Sequence, residues 1–157
     1  MRFGSERKVK MKWIYNDGGR KDAGFKGTTG DCGVRATAIV TGKPYKEVYD
    51  IINTYCSKER LTKSMRRKSN SRTGIYRKTL EKYLLSIGMK WTPTMGIGSG
   101  CKTHLRAEEL PKGKLLVRLS RHFSAVIDGV IHDIYDCSRE GTRCVYGYYS
   151  YEEVTNE

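Results

Sequence analysis

Residues 121–135 read RHFSAVIDGVIHDIY, and this stretch decides the fold. β-Branched and aromatic residues recur along it, which favours strands, and Asp128-Gly129 in its middle is a strong signal for a two-residue hairpin turn. We therefore predict two antiparallel strands that meet at this turn, with Ile127 paired to Val130. The length of the turn then fixes every later pair along the two strands.

This register places His122 opposite Tyr135 and Ser124 opposite Asp133, because successive side chains alternate between the faces of a strand. His122 and Asp133 then share a face as a diagonal pair, about 7–8 Å apart at Cα and within side-chain reach. On this register Asp136 has the wrong parity, although a one-residue bulge would exchange its role with that of Asp133. The opposite face is nearly all apolar and is expected to face the core. It carries Phe123, Ala125, Ile127, Val130, His132 and Ile134.

A cysteine that suits nucleophilic chemistry lies far upstream, in GDCGVRA at residues 30–36. Cys32 falls at the first turn of a predicted helix, behind a segment rich in glycine. Unpaired N–H groups and the positive end of the helix dipole stabilise a thiolate there and lower its pKa below about 8.5. The backbone N–H of Cys32 would also face the oxyanion of a bound acyl group. Taken alone, this context also fits a small buried cysteine that opens an ordinary helix.

Taken together, Cys32, His122 and Asp133 predict a catalytic triad of nucleophile, general base and orienting carboxylate. A carboxylate on one ring nitrogen fixes the tautomer of the imidazole and supports its charged form, which leaves the other nitrogen for the thiol. The competing interpretation of His122 and Asp133 is a surface pair on a solvated sheet face. We expect a hydrolase acting on a peptide or protein substrate, with no cofactor and no metal.

Periodic apolar residues predict three helices before the hairpin, and further strands lie around it. The first helix runs from Cys32 to about Val40, the second follows Pro44, and the third is capped by Thr73 and ends at Gly88. Strands are predicted at residues 11–15, 115–119, 123–127, 130–135 and 144–149.

Helices first and antiparallel strands second indicate an α+β fold, in which N-terminal helices pack on a C-terminal antiparallel sheet. The 157 residues suit one domain, 1–157, with a helical half at about 31–88 and a strand half at about 114–150. Between the halves, residues 91–110 are interpreted as a flexible connection, and GIGSGC at 96–101 is a poor match to a phosphate-binding loop.

Asp31-Cys32-Gly33 at a helix start, with His122 on one strand and Asp133 on the next, resembles the papain-like cysteine peptidase superfamily. The chain is most similar to the double-glycine leader peptidases that form the N-terminal domains of bacteriocin exporters. The likeness spans about a quarter of the chain, at residues 31–41 and 115–135. It implies a papain-like fold with a substrate groove between the two halves, which residues 91–110 would line. It also implies peptide-bond cleavage through a thioester by the three residues in the roles given above.

The chain departs from this family at the oxyanion hole. The family places a glutamine six residues before the cysteine, where this chain has Lys26, and the chain contains no glutamine. Losing one oxyanion donor costs about 10²–10³ in rate, so either a substitute donor exists or the activity is weak or absent. The sequence does not choose among the remaining donors, which are the backbone of Cys32 and the side chains of Asn16, Lys26, Thr28 and Thr29.

A net charge of +13 and a pI near 9.6 favour polyanionic partners. Residues 57–72 hold seven Lys or Arg against one Glu and are interpreted as a solvated loop. Arg66, Arg67, Lys68 and Arg72 in this loop could bind phosphates. The alternative function is therefore a non-enzymatic nucleic-acid- or polyanion-binding protein on a papain-like scaffold. The two ideas are compatible, since a basic rim could hold an acidic substrate near the thiol.

The N-terminus has no apolar stretch, and no apolar run approaches the roughly 20 residues that span a bilayer. We therefore expect a cytoplasmic chain, with no membrane contact, whose cysteines are reduced. The five are Cys32, Cys56, Cys101, Cys137 and Cys144. A zinc site built from Cys101 and His104, with one of the last two cysteines, is a competing interpretation.

Overall fold

The structure is a computed structural model that describes residues 11–27, 29–96 and 98–151. Within them, three α-helices and six strands form an α+β fold. The helices are α1 (Cys32–Thr41), α2 (Tyr45–Ser57) and α3 (Arg77–Ser86). The strands are β1 (Trp13–Tyr15), β2 (Met89–Pro93), β3 (Lys114–Leu119), β4 (His122–Ile127), β5 (Val130–Asp133) and β6 (Gly147–Tyr151). One turn of 3₁₀-helix, Ala107–Glu109, precedes β3.

The six strands form one mixed sheet in the order β1-β5-β4-β3-β6-β2. β1 runs parallel to β5, with Trp13 beside Ile131, and the other pairs are antiparallel. The prediction of a wholly antiparallel, C-terminal sheet was therefore wrong. An N-terminal strand adds to the free edge of the hairpin, and an edge strand this short carries too little apolar pattern to reveal its partner.

Residues 91–110 are not simply a flexible connection between the halves. Their first residues belong to β2, which pairs with β6 along its whole length. The Trp91 ring packs on Tyr149 with 4.7 Å between centroids, which explains why a short segment with few β-branched residues forms a strand.

The helix boundaries follow local chemistry, with one correction. Gly42 ends α1 in the left-handed conformation at φ 75°, as expected for a residue after a helix end. Thr73 does not cap α3, because Tyr76 occupies the N-cap position. Thr73 instead belongs to a turn in which the Asn70 side-chain oxygen accepts its N–H at 2.8 Å.

The sheet is covered on both faces, which corrects the expectation that only one face of the hairpin is buried. Side chains such as Leu80 and Ala125 pack in the cluster beneath the helices. A second cluster on the other face includes Val126 and Ile131, which share the parity of His122. Segments flanking β3 and β6 cover that face with Leu105, Leu110, Cys137 and Val145. His122 and Asp133 are therefore not a solvated surface pair.

A disulfide joins Cys101 to Cys144, so the expectation that every cysteine is reduced was wrong. Forty-three residues separate the pair in sequence, but their Cα atoms lie 5.7 Å apart. A β-bridge between His104 and Cys144 brings the two segments together, and nothing in the spacing of the cysteines indicates that contact. Cys32, Cys56 and Cys137 are free. None of the helices in the described part of the chain has the length and apolar character needed to cross a bilayer.

Candidate active site

The hairpin places the imidazole of His122 against the carboxylate of Asp133. The predicted register is confirmed, since Ile127 pairs with Val130 and Ala125 with His132. His122 Nε2 lies 2.7 Å from Asp133 Oδ2. Both side chains are buried, with relative exposures of 8% for the histidine and 3% for the aspartate.

Asp133 is held as an anion by three hydrogen bonds. Besides His122, the Ser124 hydroxyl donates to Oδ2 and the Ile134 N–H donates to Oδ1, each at 2.7 Å. Burial alone would raise the pKa of Asp133, but the bonds from His122, Ser124 and Ile134 lower it below its ordinary value. The carboxylate can therefore keep its charge beside the imidazole at neutral pH.

The start of α1 brings the thiol of Cys32 to the same imidazole. The half-buried thiol lines the same cleft as His122 and Phe123, close enough to the imidazole and to the Phe123 backbone for both to act on its ionisation. Burial by itself would raise the pKa of Cys32, but the bond to His122, the histidine's charge, the Phe123 N–H and the nearby Arg35 together lower it. A thiol at this position is therefore poised to ionise more readily than a free cysteine.

His122 bridges the thiol and the carboxylate. Because Nε2 is bound to Asp133, Nδ1 is the ring nitrogen left for Cys32. Burial favours a neutral imidazole, but the bonds to Asp133, Cys137 and Cys32 raise the pKa of His122 well above its ordinary value. A raised histidine pKa beside a lowered cysteine pKa favours a thiolate–imidazolium pair. Such a pair combines a nucleophile with a proton donor.

Asp136, the alternative candidate for the carboxylate that orients His122, forms its hydrogen bonds with Ser138 instead. Its Oδ1 accepts the Ser138 N–H at 3.0 Å and the Ser138 hydroxyl at 2.8 Å. No bulge interrupts the pairing of β4 with β5. The regular hairpin therefore keeps Asp133, rather than Asp136, on the side of His122.

A buried ionic network links the helix that carries the thiol to the strand that carries the carboxylate. Asp31, fully buried, accepts hydrogen bonds from the Arg35 guanidinium and the Tyr45 hydroxyl, and Arg20 lies 3.4 Å away. Another nitrogen of Arg35 lies 3.6 Å from Asp133 Oδ1. Arg35 thus spans Asp31 and Asp133 and fixes the separation of α1 from β5. Sequence reasoning missed this residue, although its i,i+4 spacing from Asp31 was a signal.

Replacing Arg35 with methionine should destabilise the fold by roughly 3–5 kcal/mol, because Asp31 is left as a buried charge with fewer partners. Urea unfolding followed by circular dichroism measures the change. The matched control is Lys46→Met, which removes an exposed i,i+4 ion pair to Asp50 on α2 and should cost less than about 1 kcal/mol. Equal losses in the two variants would show that the Arg35 network is not a structural link.

A cleft of about 350 Å³ opens over Cys32 and His122. Its walls come from the start of α1, from residues 73–75 and from the turn between β3 and β4. Residues 91–110 do not line it, so that expectation was wrong; the pairing of β2 with β6 and the disulfide hold the described part of that segment elsewhere.

The glycines beside the cysteine serve the packing of the cleft wall. A Cβ on Gly30 would lie 2.6 Å from the Thr73 carbonyl oxygen, and one on Gly33 would lie 2.9 Å from the Ile75 side chain. Both positions therefore allow residues 73–75 to approach the start of α1 closely.

The side chains expected to form an oxyanion hole do not line the cleft. The Asn16 amide contacts His132 Nδ1 at 3.2 Å and its oxygen accepts the Gly18 N–H. The Thr29 hydroxyl donates to the Arg72 carbonyl, and Thr28 lies outside the described residues. The structure therefore does not bring Asn16 and Thr29 to the cleft, and their polar groups have partners elsewhere.

Backbone groups at the start of α1 are the remaining donors. Within the described residues, the N–H groups of Cys32 and Gly33 donate to no backbone acceptor, as is usual in the first turn of a helix. Lys26 is also absent from the cleft lining, and its carbonyl accepts Arg72 at 2.9 Å.

Three of the four predicted polyanion-binding residues lie together. Arg66, Arg67 and Lys68 line a second cavity of about 590 Å³. Arg72 is not among its lining residues, because its guanidinium is turned toward the Lys26 carbonyl. The basic segment therefore contributes a concave site rather than only a solvated loop.

Side chains of the types that ligate metals cluster around His122 rather than around Cys101 and His104. Within the described residues, ligand atoms of His122, Asp133 and Cys137 all lie within 4.8 Å of one another. The zinc interpretation of Cys101 fails, because its sulfur is bonded to Cys144 and His104 Nδ1 lies 3.2 Å from Glu109.

Comparison of the chain with protein-family models, with curated proteins and with solved structures found no match. Its function must therefore be inferred from the geometry of its own site.

Proposed function

We propose that the chain is a cysteine-dependent hydrolase of the papain-like type, which cleaves a peptide or other amide bond through a thioester. One observation carries the proposal: Cys32 and His122 line the same cleft, and the His122 ring is held by a 2.7 Å contact of its Nε2 with the buried Asp133 carboxylate. Amide cleavage needs a strong nucleophile and a proton donor for the departing amine, and a thiolate–imidazolium pair supplies both.

The reaction follows from the three side chains. The Cys32 thiolate attacks the carbonyl carbon, and the oxyanion that forms is stabilised by N–H groups at the start of α1. The carbon–nitrogen bond then breaks, and His122 gives its proton to the departing amine, which leaves a thioester on Cys32. A water molecule loses a proton to His122 and attacks the thioester, which releases the acid and restores the thiolate and the imidazolium. Asp133 stays ionised throughout and holds the ring in position.

The arrangement of elements supports the finer, papain-like assignment. The nucleophile opens a helix that packs on the strand carrying the histidine, and the carboxylate lies on the adjacent antiparallel strand. The same order and placement of cysteine, histidine and aspartate underlies the resemblance of this chain to the double-glycine leader peptidases. The absent glutamine leaves backbone donors as the oxyanion hole, so turnover is expected to be slow compared with enzymes that add a side-chain donor.

A panel of fluorogenic peptide amides and acyl amides tests the proposal directly. We expect turnover of at least one member, with a transient mass increase on Cys32 equal to the acyl group when the reaction is quenched in acid. Silence across the panel, together with no acyl adduct, would contradict the hydrolase.

A second candidate function is binding of a polyanion such as nucleic acid without catalysis. The cavity lined by Arg66, Arg67 and Lys68 and the net charge of +13 favour it. Steep salt dependence of oligonucleotide binding, lost when these three residues are neutralised, would support this candidate.

A further inference from the structure

The cleft over the thiol is strongly cationic. Arg77, Arg118 and Arg121 line it beside Cys32 and His122, and no acidic residue does. Among the described residues, none of these arginines forms an ion pair with a carboxylate within 4.0 Å. Guanidinium groups that converge on a cleft without acidic partners suit a substrate that brings its own negative charge.

Two of these arginines are close enough to repel each other. Arg118 is half-buried, and burial together with the charge of Arg77 lowers its pKa. The charge of Glu81, whose carboxylate accepts the Tyr149 hydroxyl at 2.7 Å, offsets only part of this effect at Arg118. A bound carboxylate between the two guanidinium groups would relieve this repulsion.

The second cationic cavity adjoins the first. Residues 73–75 line both the thiol cleft and the cavity that holds Arg66, Arg67 and Lys68. The basic side chains of the two cavities therefore lie on either side of this shared wall.

The basic segment is anchored rather than loose. The carboxylate of Glu59 accepts the Ser69 N–H at 2.7 Å and the Thr79 hydroxyl at 2.5 Å. Ser71 is fully buried and donates its hydroxyl to the Tyr49 carbonyl at 2.7 Å. These contacts hold the backbone that carries the basic residues in place relative to α2 and α3, and Lys68 Nζ donates to the Ser57 carbonyl at 2.7 Å.

We infer that the substrate is an acidic peptide segment, with carboxylate side chains on both sides of the scissile bond held by the thiol-cleft arginines and by residues 66–68. This inference rests on the proposed hydrolase. A peptide fits better than a nucleic acid because the thiolate attacks an acyl carbon, which a phosphodiester backbone does not offer. One tyrosine, Tyr76, lines the second cavity. Its hydroxyl donates to the Arg67 carbonyl at 2.7 Å, so the side chain supports the loop rather than offering a free ring for a nucleobase to stack on.

Binding to the inactive Cys32→Ala variant of the full chain tests the inference without turnover. The probes are two fluorescein-labelled peptides, (Glu-Ala-Gly)₄ and its isostere (Gln-Ala-Gly)₄, and a single-stranded dT₁₂ oligonucleotide. Fluorescence anisotropy at low ionic strength should give the glutamate peptide at least about tenfold tighter binding than the glutamine peptide. The difference should shrink at high salt, because exposed charges are screened.

Two triple variants distinguish a defined peptide-binding site from general attraction by the positive charge of the protein. Arg66→Gln, Arg67→Gln and Lys68→Gln together should reduce glutamate-peptide affinity roughly tenfold or more. The control changes Arg60, Lys63 and Lys78 to glutamine, which removes the same charge from exposed residues outside both cavities. It should keep most of the affinity. The double variant Arg77→Gln, Arg118→Gln should lose affinity as the first triple does.

Three results would overturn the inference: equal affinity for the two peptides, equal loss in both triple variants, or tighter binding of dT₁₂ than of the glutamate peptide. The last result would favour the nucleic-acid function. Alkylation of wild-type Cys32 at pH 6 distinguishes failure of the acidic-substrate inference from failure of the proposed hydrolase. Fast alkylation without glutamate preference refutes only the acidic substrate, whereas slow alkylation refutes the hydrolase on which it rests.

Discussion

The Cys32→Ala variant should lose at least about 10⁴-fold in kcat on any amide that the wild-type protein cleaves, because removing the nucleophile prevents the thioester from forming. The measurement is initial rate on the best substrate of the fluorogenic panel. The Cys56→Ser variant is the matched control. Cys56 is buried away from the cleft, burial raises the pKa of its thiol, and serine can keep the contact with Ser69 at 3.4 Å. Its activity should stay within about twofold of wild type, because the substitution adds no group to the cleft and removes none from it.

Cys137 is the one free thiol that could replace Cys32 as nucleophile. Its sulfur lies within 4.8 Å of a His122 ring nitrogen and an Asp133 carboxylate oxygen. However, only 1% of Cys137 is exposed and it does not line the cleft, whereas Cys32 does. Full activity in Cys32→Ala, with loss in Cys137→Ser, would show that the nucleophile has been misassigned.

The His122→Ala variant should lose about 10²–10⁴-fold in kcat/KM, because neither proton transfer nor the charge that supports the thiolate remains. His132→Ala is the matched control on the neighbouring strand. That histidine contacts Asn16, burial lowers its pKa, and it does not line the cleft. Comparable losses in the two variants would indicate damage to the sheet rather than removal of a base.

The sequence predicted the His122–Asp133 pair because one short turn determines the register. Asp128-Gly129 leaves a single pairing of the flanking strands, and Asp128 and Gly129 indeed take left-handed φ values of 48° and 81°. Side-chain parity then follows by counting, and so does the contact of Ser124 with Asp133. The helix start at Cys32 was equally predictable from the glycine-rich segment before it.

Features that depend on tertiary contact were not predictable from the sequence. The parallel addition of β1, the disulfide between Cys101 and Cys144 and the burial of both sheet faces all join distant segments. Local pattern contains no information about which segment approaches which. The placement of Asn16 and Thr29 away from the cleft depends on tertiary contact too, since each has a hydrogen-bond partner more than forty residues away.

Arg35 illustrates a site residue that local reasoning passes over. In sequence it is an ordinary basic residue on the first helix, four positions after Asp31. Its second contact, with Asp133, exists only because α1 packs across β4 and β5. The positive charge near the thiol therefore comes from folding as well as from the helix dipole.

The most direct test of the account is the pH dependence of Cys32 alkylation by iodoacetamide, followed by peptide mass spectrometry. The thiolate exists above the pKa of the thiol and disappears as the pH falls through it. Because the pKa of Cys32 is lowered, the wild-type rate should fall less steeply between pH 8 and pH 6 than the rate of an unperturbed thiol. In His122→Ala the pKa should return toward about 8.5, so the rate should fall roughly 100-fold over the same interval. A wild-type rate that falls as steeply as that of the variant would contradict a thiolate–imidazolium pair.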